Sequence, residues 1–179
     1  MHRLFIAIDF PEETVEELAN HCFGIPGARW VSKDQMHCTV RFIGDADDAE
    51  LEDSIDILDS VNCSRFLLNI KGVGYFPPRR KPNVIWAAIE LSEPFAQLKD
   101  SVELRMQELG FESEERKYHP HITLARLRHE SPIDRIMGFI SANALLKIQQ
   151  IPINEFHLYS SVLTADGAVH TKEASFPLI

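Results

Sequence analysis

The sequence contains few cysteines and no long apolar run. Its three cysteines, Cys22, Cys38 and Cys63, are odd in number and lack paired spacing, which argues against a disulfide framework and for reduced thiols. The apolar run nearest the first residue spans residues 4–8, too short for a secretion signal or a membrane-spanning helix. We therefore expect a cytoplasmic protein that does not enter a membrane. Its 179 residues fit one domain, which we expect to be a monomer.

Basic residues are also scarce. The chain has 18 Lys and Arg against 27 Asp and Glu, for a net charge of −9. Residues 45–59 alone hold eight carboxylates and no Lys or Arg, and apolar residues recur there at helical spacing. This stretch predicts an amphipathic helix with a solvated acidic face. The overall charge excludes a large basic groove for duplex nucleic acid but leaves room for a small positive phosphate pocket.

Three common signatures of catalytic sites are missing: a glycine-rich phosphate loop, a Cys-x-x-Cys pair and a nucleophile elbow. The chain instead carries His-x-Thr-apolar twice, as "HCTV" from His37 and as "HITL" from His121. Both copies lie in predicted strands, where side chains alternate between faces. We therefore expect His37 and Thr39 to share one face, and His121 and Thr123 to share another.

The two copies belong to a longer repeat. The strand "LFIAIDF" at 4–10 resembles "IWAAIEL" at 85–91, at an offset of 81, and the motifs follow a helix at an offset of 84. This order predicts internal duplication, roughly of residues 3–44 and 84–128, within a single bilobal domain spanning 1–179. The expected fold is α+β, with two similar α/β lobes of antiparallel or mixed sheets. A pseudo-two-fold axis would place the active-site cleft between them. The tail from residue 151 predicts a hairpin around "TADG".

Two imidazoles and two hydroxyls around one cleft suit the opening of a phosphodiester. A neutral His takes a proton from water, a protonated His gives one to the leaving oxygen, and Thr hydroxyls hold the phosphate oxygens. Such acid–base help contributes roughly 10²–10⁴ in rate. A single His-x-Thr would be weak evidence, because a half-buried His bonded to a neighbour explains it; two copies in a repeated frame are far stronger.

A metal site is the competing interpretation. His37, His119 and His121 would supply three nitrogen ligands. Against it, no Asp or Glu lies close to His121 on its strand face, and Pro120 stiffens the backbone. We expect neither a metal nor a cofactor.

The motifs and their flanking strands resemble the 2H phosphoesterase superfamily. Within it the chain is similar to the RNA 2′,3′-cyclic phosphodiesterases, historically called 2′-5′ RNA ligases. The resemblance covers nearly the whole chain and rests on "RLFIAIDF", "RWVSKDQMHCTVRFIGD", "HPHITLARL" and "LYSSVLTADGAVH". It implies metal-independent hydrolysis of a 2′,3′-cyclic phosphate, on an RNA 3′ end or a small nucleotide, to a 2′-phosphomonoester. Reversible 2′-5′ joining is implied for some members.

The resemblance implies that His37 and His121 form the acid–base pair and that Thr39 and Thr123 hold the phosphate. It does not say which His is the base. Two cations are further phosphate-binding candidates. Strict alternation places Arg41 beside His37 and Thr39 and turns Arg126 away, whereas the family pattern "PHITLAR" includes Arg126. That arginine reaches the cleft only if its strand ends, twists or bulges near Ala125.

Some positions depart from the family pattern or lack a role. Cys38 replaces the usual Leu and is expected in the core, together with Phe42. His119 is expected to be a bystander, and His170 stands where the family usually has Tyr. Arg3 is a weaker candidate for the cleft. Aromatic candidates for base stacking are Phe5, Phe10, Phe76 and Tyr118, none of them favoured singly, and Arg79, Arg80 and Lys81 form an exposed loop that would contact the backbone of a longer RNA.

Two other functions stay open at this point. One is a non-catalytic module that binds RNA ends, although loss of a motif would then be expected. The other is a related 2H enzyme acting on 2′-5′ linkages or on another cyclic nucleotide, since the phosphate chemistry is shared.

Overall fold

The computed structural model describes residues 1–165 and 167–179; Asp166, in the predicted "TADG" turn, lies outside them. Within this part of the chain there are four α-helices and nine strands. The helices are α1 (Glu12–His21), α2 (Asp48–Leu58), α3 (Glu93–Glu108) and α4 (Ile133–Ala142). The strands are β1 (His2–Ile8), β2 (Arg29–Trp30), β3 (Cys38–Ala46), β4 (Phe66–Phe76), β5 (Val84–Ile89), β6 (His121–Arg126), β7 (Lys147–Ile153), β8 (Glu155–Thr164) and β9 (Gly167–Pro177).

Local sequence signals account for where several helices begin. Proline immediately precedes α1, where its fixed φ suits a helix start. Asp47 and Glu50 form a reciprocal capping box at α2, and Ser92 caps α3 through its hydroxyl, each satisfying backbone N–H groups that a helix start leaves unpaired. None of the described helices is both long enough and apolar enough to cross a membrane.

The strands form two antiparallel groups that meet at a single point. Their order is β7-β4-β5-β6-β3-β1-β8-β9, with β2 added beside β6. The central strands β6 and β3 share one bridge, between Cys38 and Ile122. The α+β, two-lobed fold predicted from the sequence is confirmed, and among the described residues the strands pair in antiparallel fashion throughout.

Both motif strands bulge at the same place. Where β3 pairs with β1, Val40 is an extra residue that has no partner in the ladder. Where β6 pairs with β5, Leu124 is the extra residue. The two bulges lie 84 residues apart, the offset of the motifs. One extra residue reverses the facing of the residues that follow it, in β3 as far as a second register shift at Ile43. Alternation from the histidines therefore holds only as far as Thr39 and Thr123.

Candidate active site

A cleft of about 730 Å³ contains both motif histidines and both motif threonines. Its floor is the point where the two sheet halves meet. Cys38 and Ile122 pair there and are fully buried on the other side. By antiparallel register their neighbours face one another across the seam, each histidine opposite the threonine of the other motif. The four side chains therefore share one opening.

Each histidine is held in the same tautomer. His37 donates Nδ1–H to the carbonyl oxygen of Gln35 at 2.8 Å, and His121 donates Nδ1–H to that of His119 at 2.7 Å. A carbonyl oxygen only accepts, so Nδ1 carries the proton in both rings. In each histidine Nε2 is therefore the nitrogen that gains or loses a proton.

The surroundings of His37 are aromatic and enclosed. Its ring lies 5.1 Å from that of Phe5 and 5.4 Å from that of His170, centroid to centroid. Tyr159 stacks on Phe5 at 5.2 Å and also lies 6.2 Å from the His37 ring. Burial lowers the pKa of His37 below its usual value, and His170 and His121 act in the same direction. The Gln35 hydrogen bond and Asp9 oppose this shift but do not cancel it. The net lowering of the pKa leaves His37 predominantly neutral at pH 7.

Aromatic rings also flank His121. The ring of Phe76 lies edge-on to it at 5.4 Å, and that of Trp86 lies at 6.1 Å. Trp86 occupies in β5 the position that Phe5 occupies in β1, at the repeat offset of 81. Each imidazole thus packs against an aromatic ring from the strand beside it, which limits its rotation.

Arg126 lines the cleft, and the bulge at Leu124 is the reason. The prediction that Arg41 lies beside His37 is wrong. Val40 bulges before it, and Arg41 points to the opposite side, where it is 2% exposed. There Nε lies 3.0 Å from the Glu103 carboxylate of α3, and Nη2 donates to the Glu112 carbonyl oxygen.

The prediction for Phe42 is also wrong, but here a residue expected in the core lies in the cleft. Alternation assigned it to the core, but the bulge turns it into the cleft, where it is 63% exposed. It stands five residues after His37, as Arg126 stands five after His121. Alternation fails at both places because each strand contains a bulge. Neither bulge is marked in the sequence by a glycine.

Both halves of the chain match one known protein family. A family model described as LigT like Phosphoesterase matches residues 8–86 and again residues 89–170. The chain belongs to the LigT-like phosphoesterase family. An RNA 2′,3′-cyclic phosphodiesterase of Thermotoga maritima is 30% identical over 94% of this chain and 91% of its own length. One of Methanocaldococcus jannaschii is 27% identical over 94% and 96%.

Solved structures of similar proteins have the same fold. TT0787 of Thermus thermophilus is 26% identical, with a TM-score of 0.81 over 98% of this chain and 97% of that one. E. coli LigT, solved with 3′-AMP, is 22% identical, with a TM-score of 0.76 over 99% and 98%. The two successive family-model matches fit the predicted duplication, which stays a prediction.

Some of the other predicted candidates line the cleft of this LigT-like phosphoesterase, and others lie outside it. Arg3, Phe5 and His170 line the cleft. Tyr118 instead lies behind the first motif and donates its hydroxyl to the Thr39 carbonyl oxygen at 2.8 Å. Phe10 packs against the core.

The basic loop is separate from the cleft. Arg79, Arg80 and Lys81 line another surface depression, beside the start of α4. Lys81 donates there to the His129 carbonyl oxygen. The predicted contact of this loop with RNA stays a prediction.

The three histidines of the metal interpretation do not converge, because His119 lies apart from the other two. The His119 side chain is exposed and does not line the cleft; its contribution is the backbone oxygen that orients His121. Among residues 1–165 and 167–179, no group of three or more His, Cys, Asp or Glu side chains is placed to hold a metal ion.

Proposed function

We propose that this LigT-like phosphoesterase hydrolyses 2′,3′-cyclic phosphates, on RNA 3′ ends or on nucleotides, to 2′-phosphomonoesters. The observation that carries the proposal is the matched pair of imidazoles, each with Nδ1–H bound to a backbone carbonyl. Each ring then offers Nε2 for one proton transfer, as a two-histidine mechanism needs. The names of the curated relatives support this substrate class.

In the proposed reaction, water attacks the phosphorus and the bond from phosphorus to O3′ breaks. One Nε2 accepts the proton that the water loses, and the other imidazolium donates its Nε2 proton to the departing O3′. The neutral state favoured for His37 by burial suits the base. His121 then supplies the proton, and proton exchange with solvent restores both rings.

Three further side chains suit the phosphate. Thr39 and Thr123 stand on the cleft face on either side of the seam, and Arg126 lies at one end of the same strand as Thr123. Hydroxyl donors and a guanidinium stabilise negative charge on the non-bridging oxygens as it develops. Although the protein has a net charge of −9, Arg126 gives the cleft one positive charge for a phosphate.

The test is a product assay on 2′,3′-cyclic AMP and on an RNA bearing a 2′,3′-cyclic end, with the position of the product phosphate read out. His37→Asn and His121→Asn should each lower kcat by about 10²–10⁴ while leaving the fold intact. His119→Asn is the matched control, because its side chain lies outside the cleft, and it should keep wild-type activity. Full activity in either motif variant would contradict the mechanism.

The same assay separates the two alternatives. Tight retention of the cyclic end without turnover would indicate an RNA-end binding module. Turnover of 2′-5′-linked oligonucleotides, or of another cyclic nucleotide, in preference to a 2′,3′-cyclic phosphate would indicate a related 2H phosphodiesterase. Reversible 2′-5′ joining is measured by supplying a 5′-hydroxyl RNA together with the cyclic end.

A further inference from the structure

His170 is a third imidazole in the cleft, and the two-histidine mechanism does not use it. It lies on β9, paired across the ladder with Ser161 of β8. Its ring stands almost perpendicular to that of His37, at 88° with the centroids 5.4 Å apart. It meets the ring of Phe5 at 4.9 Å and 76°. Two aromatic contacts hold the ring in one orientation at the edge of the site.

The nitrogen atoms of His170 are not equivalent. Nδ1 is buried, and no hydrogen-bond partner for it exists among the described residues. A buried N–H without an acceptor is costly, so the proton of the neutral ring belongs on Nε2. The residue itself is partly exposed and lines the cleft, which leaves Nε2–H as the group available to a ligand.

Burial and a neighbouring positive charge both favour the neutral form of His170. Burial lowers its pKa, and the charge of Arg126, which lines the same cleft, lowers it further. A proton on His170 would also oppose one on His37, whose pKa it depresses. A second cation in the cleft with Arg126 is therefore disfavoured, and a neutral donor is favoured.

The strand that carries His170 is fastened to the first motif. Gln35 donates its side-chain amide to the Ala168 carbonyl oxygen at 3.3 Å, and the carbonyl of the same Gln35 accepts the Nδ1–H of His37. One residue thus connects β9 with the orientation of His37.

We propose that His170 is a substrate-contacting residue of this site, donating Nε2–H to an oxygen of the bound nucleotide from the side of His37. The proposal rests on the proposed function for the identity of that nucleotide. A neutral donor discriminates in favour of ligands with an acceptor oxygen at this place, whether on the phosphate or on the ribose. It contributes to binding rather than to either proton transfer, so its loss raises KM more than it lowers kcat.

Two variants test this contact: one keeps an aromatic ring without the hydrogen-bond donor, and the other keeps a donor without the ring. His170→Phe keeps an aromatic ring against Phe5 but removes the donor, and it should raise KM for 2′,3′-cyclic AMP about threefold to tenfold, the worth of one neutral hydrogen bond, with kcat within about twofold. His170→Gln restores an N–H near the position of Nε2 and should recover most of the loss. Thermal unfolding of each variant shows that the fold persists.

A binding measurement keeps this proposal separate from the proposed function. Titration with 2′-AMP, followed by NMR of the histidine rings, should show weaker binding by His170→Phe and recovery in His170→Gln. If wild type binds 2′-AMP but turns over no cyclic phosphate, the proposed function fails while the role of His170 is still measured. Equal KM and equal 2′-AMP affinity in wild type and His170→Phe would overturn the proposed contact of His170 with the substrate.

Discussion

Phe42 and Arg126 occupy equivalent places in their strands, each five residues after a motif histidine, and both face the same cleft. One place offers an aromatic ring and the other a guanidinium. The backbone around the seam is closely matched, with paired bulges and paired imidazole hydrogen bonds. At these two places the halves of the cleft therefore differ in side-chain chemistry rather than in backbone position.

The two arginines should separate activity from stability. Arg126→Met should lower kcat/KM about 10²-fold, because a donor to the phosphate is lost, with little change in the free energy of unfolding. Arg41→Met should destabilise the fold by about 3 kcal/mol, because Glu103 loses its buried partner, while the folded fraction keeps its kcat. Urea unfolding and steady-state kinetics measure the two effects. An equal loss of kcat/KM in both variants would contradict the placement of Arg41.

Phe42 should act on the nucleobase. An exposed aromatic side chain at a nucleotide cleft stacks on a base, which is worth about 1–3 kcal/mol, so Phe42→Ala should raise KM for 2′,3′-cyclic AMP about tenfold. The free energy of unfolding should change little, because the ring is already exposed. Phe42→Trp should keep the affinity. Ribose 2′,3′-cyclic phosphate, which has no base, is the matched substrate and should bind Phe42→Ala as well as wild type; an equal loss for both substrates would exclude stacking.

Gly74 should be intolerant of a side chain. A Cβ at this position would lie 2.2 Å from the Trp86 indole, and that indole packs beside His121. Gly74→Ala should therefore destabilise the protein by about 1–3 kcal/mol through overpacking and should also lower kcat. Gly138, within α4, is the control: a Cβ there meets nothing within 4 Å, and Gly138→Ala should add about 0.5–1 kcal/mol of stability. Thermal unfolding that ranks the two variants the other way would refute the clash.

Acid should weaken the fold before any carboxylate titrates. Burial lowers the pKa of His157, assisted by Lys172 and opposed by Asp9 and Glu155; His37 and His170 shift in the same direction. The unfolded chain then binds more protons than the folded one below about pH 6.5, so stability rises with pH. The contribution of these histidines to the free energy of unfolding should be fully present above about pH 6.5. It should decrease at lower pH by at most about 1.4 kcal/mol per pH unit for each histidine.

The matched variant for this pH dependence is His157→Asn, whose amide keeps a polar atom near Ser175, the partner of the His157 ring at 2.9 Å. It should be less stable than wild type at pH 7.5 but should lose less stability between pH 7.5 and 5.5. Urea unfolding at several pH values measures both slopes. An identical slope in the two proteins would show that His157 is not among the groups responsible.

The repeat and the motifs were visible in the sequence because they depend on local spacing, whereas the arginines depend on backbone geometry. Two-residue alternation correctly grouped each histidine with its threonine. It failed for Arg41 and Phe42, because Val40 is an ordinary strand residue that carries no sign of a bulge. The location of His170 depends on pairing between strands β8 and β9 and on their approach to the first motif. Periodicity within a single strand carries no information about such contacts.

The order of strands has a consequence for how this protein is made. The half of the sheet that holds His37 combines the first strand of the chain, β1, with the last two, β8 and β9. The other half, β4 to β7, is contiguous apart from β2. During synthesis from the N-terminus, β1 can pair early with β3 on one edge but must wait for β8 on the other, and long-range pairing of this kind slows folding. We expect the half around His121 to gain amide protection first in pulse-labelled refolding, with the phosphodiesterase cleft closing only when the final hairpin docks.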